Sequence, residues 1–230
     1  MNPTVQRDPR PILPQALRGR VAIVAVLATL VVVTLALTSA GDDAPASFDR
    51  TVQPELESWT PANSAWVRTV DFAGGPVGLP VLVALLVGVS LSLRRPRMAV
   101  LVVLGTGLSV SVTSALKPLV GRTIDGTHGV YLSYPSGHTA SATALAMIAA
   151  LLVWHRLSRA AALALLYGLA LAAGAAAAWV QTGLVNHYPS DTVGGWCTAL
   201  AVVPATAWLV DHVATRWSVR RSAGTPLPIE

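Results

Sequence analysis

Six apolar runs of near-membrane length constrain this chain more than anything else in it. They extend from Val21 to Ala40, Pro76 to Leu93, Met98 to Leu116, His138 to Trp154, Ala160 to Val180 and Asp191 to Val213. At about 1.5 Å of rise per residue, a helical run of about 20 residues crosses a hydrocarbon core of about 30 Å. Backbone polar groups cannot be left unpaired in lipid, so the spanning elements must be helices or a closed barrel. Runs of this length, without strict alternation, select helices. The expected fold is therefore all-α: a six-transmembrane-helix bundle.

Charge placement supports the same reading. Charged residues make up only 12% of the chain, against roughly 25% in an ordinary soluble domain. A net charge of +5 would suggest a nucleic-acid partner in a soluble protein, but here the basic residues cluster at the ends of the apolar runs. Arg7, Arg10, Arg18 and Arg20 precede the first, Arg94, Arg95 and Arg97 separate the second from the third, Arg156 and Arg159 separate the fourth from the fifth, and Arg216, Arg220 and Arg221 follow the sixth. With both termini and these turns in the cytoplasm, only Arg50, Arg68, Lys117 and Arg122 of the 16 basic residues fall outside, as the positive-inside rule requires. The expectation is a multi-pass cell-membrane protein with no nucleic-acid partner. The first run exceeds a signal-peptide h-region of about 7 to 15 residues, so it reads as a retained span.

The organisation that follows is a cytoplasmic tail over 1–20, one membrane domain over 21–215 and a second tail over 216–230. Within the domain, 41–75 is a polar excursion rich in Asp and Glu. Phe48, Val52, Leu56, Trp59, Trp66, Val67 and Val70 recur there at loosely helical spacing, which predicts short amphipathic helices at the membrane interface. Cys197 is the single cysteine, so no intramolecular disulfide is possible.

Two polar clusters stand at helix entrances on the outer side. The first is Tyr134-Pro135-Ser136-Gly137-His138-Thr139. A helix starting near Gly137 would aim unpaired backbone N–H groups and its positive dipole end at the loop, which favours a phosphate. The same residues also read as a turn with Ser136 as cap. The second cluster is His187-Tyr188-Pro189-Ser190-Asp191. A carboxylate at Asp191 would fix one imidazole nitrogen of His187 and leave the other as nucleophile or base; alone, the pair equally reads as a helix start beside an interfacial histidine. Together with Lys117 and Arg122, the two histidines make a set of cations, N–H donors, a nucleophile and an acid suited to phosphorus chemistry.

At these residues the chain resembles the type 2 phosphatidic acid phosphatase superfamily, the lipid phosphate phosphatases related to vanadium haloperoxidases. That family carries a lysine followed after six residues by Arg-Pro, a Pro-Ser-Gly-His block, and an arginine followed by a spaced His and Asp. Pro135 to His138 reproduces the middle block, and His187 with Asp191 reproduces the end of the third. Counting from Lys117, the first-block arginine falls at Ile124 and the proline at Asp125; counting back from His187, the third-block arginine falls at Gln181. Both arginines are missing.

The resemblance implies a metal-independent phosphatase, without a cofactor, that cleaves a lipid phosphate or polyprenyl (di)phosphate at the outer face through a phosphohistidine. His187 is the implied nucleophile, Asp191 its orienting partner and His138 the acid. Lys117, Arg122, Ser136, Gly137 and Gln181 are the expected phosphate ligands, Arg122 and Gln181 compensating for the missing arginines. His128 touches substrate or is an exposed loop histidine. A His-Asp pair can ligate zinc, but Lys and Arg around it would repel a cation. The alternative is a catalytically weak or inactive lipid-phosphate-binding scaffold on the same fold. The identity of the lipid and the oligomeric state are not written in these residues.

Overall fold

A computed structural model describes residues 11–126 and 129–223. The chain forms α1 (Gln15–Thr38), α2 (Ser47–Ser58), α3 (Ala65–Gly74), α4 (Gly78–Ser92), α5 (Pro96–Val120), a hairpin of β1 (Thr123–Gly126) and β2 (Gly129–Leu132), α6 (Gly137–Val153), α7 (Arg159–Gly183) and α8 (Pro189–Ala223). Among the described residues, five helices are long and apolar enough to cross a membrane: α1, α5, α6 with the 3-10 turn that follows it, α7 and α8. The candidate for a sixth span is a bent pair, in which α3 and α4 meet at 71° across a break of at most four residues. The architecture is the all-helical membrane bundle anticipated above.

The helix ends explain most of the boundary differences. Arg18 and Arg20 lie within α1, which starts six residues before the apolar run. Lys117 does not end α5; the helix continues to Val120 and stops at Gly121, whose left-handed φ of 69° makes the C-cap, a conformation glycine adopts without the steric cost other residues meet. The amphipathic helices foreseen in 41–75 are α2 and α3. Helix α8 continues past 216 to Ala223, into the segment read as a tail. The Lys117 to Gly137 loop contains the unforeseen hairpin, in which Thr123 pairs with Leu132 and Gly126 with Gly129. His128 lies outside the described residues.

Helix α8 is central and packs against α1, α5, α6 and α7. Val203 and Ala207 on α8, Met147 and Ile148 on α6, and Leu101 and Val102 on α5 are fully buried between these helices. Large apolar side chains on the outward faces are exposed: Ile23 at 62%, Leu85 at 62% and Leu171 at 58%. Apolar surface of this extent does not belong in water, and with the spans it makes the chain a multi-pass membrane protein. Between spans, association cannot rest on the hydrophobic effect, so close packing of small residues matters. Gly174 of α7 illustrates it, since a Cβ there would stand 2.4 Å from the Trp196 ring.

The two ends of the bundle differ. At one, Asp211 of α8 accepts hydrogen bonds from the N–H groups of Ile12 and Leu13 at 2.9 and 3.0 Å, which fastens the start of the chain to the last helix. At the other lie the C-terminal turns of α5 and α7, the first turns of α6 and α8, the hairpin, α2 and α3. Trp59 and Trp66 there pack against Trp179 at 6.3 and 6.1 Å, and the Trp179 indole donates to Thr60 Oγ1 at 3.0 Å, holding α2 and α3 on the end of α7.

Candidate active site

Helix α6 begins at Gly137 because Ser136 caps it: the Ser136 hydroxyl accepts from Thr139 N–H. Tyr134 is fully buried and donates from its phenol to Val32 O of α1 at 2.8 Å, so the loop leading into α6 is clamped against α1. On its other side stands the start of α8. A Cβ at Gly195 would meet Ser136 O at 2.2 Å, and one at Gly194 would meet the Tyr134 ring at 2.5 Å. Only glycine permits this approach of the two helix entrances.

The entrances open into a cleft of about 980 Å³. Lys117, Gly137, His138, Gln181 and His187 all line it, so five of the eight expected site residues share one space. Lys117 Nζ donates to Leu132 O at 2.9 Å, which fixes the ammonium while leaving N–H bonds for a ligand. His187 Nδ1 faces Asp191 Oδ2 at 3.8 Å, too long for a hydrogen bond, and is buried without a partner. That carboxylate oxygen accepts instead from Tyr188 N–H at 3.0 Å. Asp191 thus stands behind His187 in ion-pair range, and Nε2 is the ring nitrogen left for substrate. The rest of the lining is largely apolar, with Phe72, Pro76, Val77, Leu79, Pro80 and Val110.

Two expected phosphate ligands are placed elsewhere. Ser136 is fully buried, its hydroxyl spent on the cap, and does not line the cleft. Arg122 is also buried and away from the cleft. Its Nη1 donates to Asp191 Oδ1 and Ser190 Oγ, both at 2.7 Å, and its Nη2 to Asp49 Oδ2 at 2.7 Å. It also stacks over the Tyr188 ring, 4.4 Å from the centroid. Burial works against the guanidinium charge, but Asp191 and Asp49 outweigh it and hold its pKa above the ordinary value. The reason for this placement is chain direction: the turn at Gly121 sends the next residue back toward α8 rather than into the cleft.

Sequence reasoning missed Asp71 and Asp49. Asp71, on α3, lines the cleft with Arg68; its Oδ1 accepts from Gln181 Nε2 at 2.7 Å and stands 3.7 Å from His138 Nε2. The signal was present, since Arg68, Asp71 and Phe72 share one face of an amphipathic helix at i, i+3, i+4 spacing. Tyr131 also lines the cleft, and burial, followed by the nearby Asp191 charge, pushes its phenol up to about 12. It is therefore a neutral donor, bonded to Asn186 O at 2.7 Å. Ile124, where the family's first-block arginine would stand, is 2% exposed and supplies no cation. Among the described residues, no group of three or more His, Cys, Asp or Glu side chains is placed to hold a metal ion.

Residues 98–214, from the first turn of α5 into the last turns of α8, match the PAP2 superfamily. No curated protein and no solved structure matches the chain.

Proposed function

The chain belongs to the PAP2 superfamily, which implies a phosphatase-type function, and from that premise we propose that it hydrolyses a lipid phosphate or polyprenyl (di)phosphate at the outer face of the cell membrane through a phosphohistidine. The observation that carries this reading is the composition of the cleft. Two histidines from separate helix entrances and a lysine line it together with apolar side chains of α3, α4 and α5. An amphiphile with a phosphate head and a hydrocarbon tail suits both at once.

The chemistry follows from the positions. The phosphate lies against Lys117, the Gly137 N–H at the start of α6 and the Gln181 amide, which favour negative charge through hydrogen bonding and the helix dipole. His187 Nε2 attacks phosphorus; a P–N bond forms as the P–O bond to the lipid breaks. Asp191, behind Nδ1, stabilises the positive charge that grows on the ring. His138 gives its proton to the departing oxygen, then takes one from a water molecule whose oxygen attacks phosphorus. The P–N bond breaks, its electron pair returns to His187, and inorganic phosphate leaves. With a polyprenyl diphosphate the same steps release the lipid monophosphate in the first stage.

Phosphate release by the purified protein tests the reading. A detergent-solubilised panel of phosphatidic acid, phosphatidylglycerol phosphate, polyprenyl diphosphate and a polyprenyl phosphosugar should yield at least one substrate, and His187→Ala should abolish its turnover. Binding without turnover on every member of the panel would favour the scaffold reading, to which the uncharged residues at 124 and 181 already point.

A further inference from the structure

Three charged side chains are buried together behind the proposed nucleophile. Asp49 is 0% exposed, Arg122 1% and Asp191 0%. Asp49 belongs to α2, in the polar segment between the first two spans, and reaches across to the start of α8. Its Oδ1 accepts from Ser190 N–H at 2.8 Å and its Oδ2 from the Ser190 hydroxyl at 2.8 Å, in addition to Arg122 Nη2. A carboxylate at the first-turn N–H groups of a helix is a cap supplied from outside that helix. The helix it caps is the one that carries Asp191.

We propose that Asp49 and Arg122 are positioning residues for the Asp191–His187 pair, so that α2 forms the back of the active site. Asp49 holds the first turn of α8 by its backbone and holds Arg122 by its guanidinium. Arg122 in turn occupies Oδ1 of Asp191 and leaves Oδ2 directed at His187 Nδ1. The assignment rests on the functional reading above for what His187 does, but its geometry and its test do not depend on turnover.

Charge balance gives the test its sign. Asp49, Arg122 and Asp191 together carry one negative charge in a space closed to water, and the partnerless Nδ1 of His187 faces it. The other titratable or charged groups around His187 are Lys117 from α5, His138 from α6, Arg68 and Asp71 from α3, Tyr131 from β2 and the adjoining Tyr188. None of these is altered when Asp49 or Arg122 is changed. Asp49→Asn makes the buried set neutral, so His187 should release its proton at lower pH. Arg122→Gln leaves two uncompensated carboxylates, so His187 should hold its proton to higher pH. A residue that only supports the fold gives no reason for opposite signs.

The experiment is ethoxycarbonylation of the full-length protein in detergent by diethyl pyrocarbonate, which the unprotonated imidazole attacks with release of carbon dioxide and ethanol, followed by peptide mass spectrometry across a pH series. The midpoint for His187 should fall by about half a pH unit or more in Asp49→Asn and rise by a similar amount in Arg122→Gln. It should return close to the wild-type midpoint in the double variant, where the buried charge is again one negative. His138, which faces Asp71, is the internal control and should move less. If Arg122→Gln fails to fold, the nearly isosteric Asp49→Asn decides alone: a His187 midpoint that is unmoved or higher overturns the proposal. Opposite shifts in a protein that releases no phosphate from any substrate would sustain this assignment and remove the phosphatase reading instead.

Discussion

The Ser136 backbone N–H donates to the Asp191 carbonyl at 3.0 Å, so the loop that starts α6 and the turn that starts α8 are joined directly by main chain. The two histidine-bearing entrances, separated by some fifty residues of sequence, are therefore tied to one another directly. Gly194 and Gly195 make the approach possible, and Tyr134 fills the space beside it. The relative position of His138 and His187 is thus set by backbone contacts rather than by the histidines themselves.

Gly195→Ala tests that coupling. The added methyl would stand 2.2 Å from Ser136 O, a backbone atom that cannot swing aside, so α8 must shift away from the loop. A loss of about 1 to 3 kcal/mol in stability is expected from overpacking of this kind, with at least a tenfold fall in phosphate release. Gly168→Ala on α7 is the control, since nothing lies within 4 Å of its added methyl. Equal thermal midpoints and activities for the two variants in detergent would show that the entrances are not held this way.

Asp71 places a negative charge in the cleft that is proposed to bind phosphate. It takes the Gln181 amide at 2.7 Å, the group expected to serve where the family carries an arginine. Asp71→Asn should release that amide and remove the repulsion, lowering KM for an anionic lipid phosphate by about threefold, the scale of partly exposed charge interactions. No rise in kcat is expected, because the bond-making nitrogen is untouched. A higher KM in the variant would mean that Asp71 binds substrate rather than opposing it.

Much of this was legible in sequence, for identifiable reasons. Each long span is a run whose period does not matter in lipid, so length alone marks it, and Ser136 before Gly137 is a local cap that needs no tertiary partner. His187 and Asp191 are four residues apart and meet across one turn. Asp71 was legible only as part of one amphipathic face, and Asp49 not at all, because each looks like the solvated face of an amphipathic helix; what buries or engages them is α8 or α7, more than a hundred residues away. Arg122 was misread for a related reason. Proximity to the vacant arginine position suggested the phosphate, whereas the left-handed turn at Gly121 directs it to Asp191. The hairpin carried only a weak signal, the strand-favouring Thr123, Ile124, Val130 and Tyr131 on either side of a short polar stretch, hidden by reading the whole segment as loop.

The orientation expected from the arginine distribution has a direct check. Asn63, between α2 and α3, and Ser158, before α7, are both exposed and lie at opposite ends of the bundle. The native thiol, Cys197, is buried and will not interfere. On intact cells a membrane-impermeant maleimide should label Asn63→Cys and spare Ser158→Cys. The reverse pattern would put the cleft in the cytoplasm.

The covalent step divides an enzyme from an inert relative most sharply. His187 has a carboxylate behind Nδ1 and its other nitrogen toward the cleft, whereas His138 stands at the first turn of α6 opposite Asp71, so the two should fail differently when removed. With p-nitrophenyl phosphate the leaving group departs without much help from a proton. Bond breaking at phosphorus should then survive His138→Ala better than His187→Ala. The second stage differs, because it needs a base to activate water, and His138 is the residue assigned to it. Acid-labile phosphate should therefore accumulate on His138→Ala within the first turnover and be absent from His187→Ala. Rapid-quench trapping with radiolabelled substrate reads both variants in one experiment. Label retained on the His187→Ala protein would move the nucleophile to another residue, and with it the role given to Asp191.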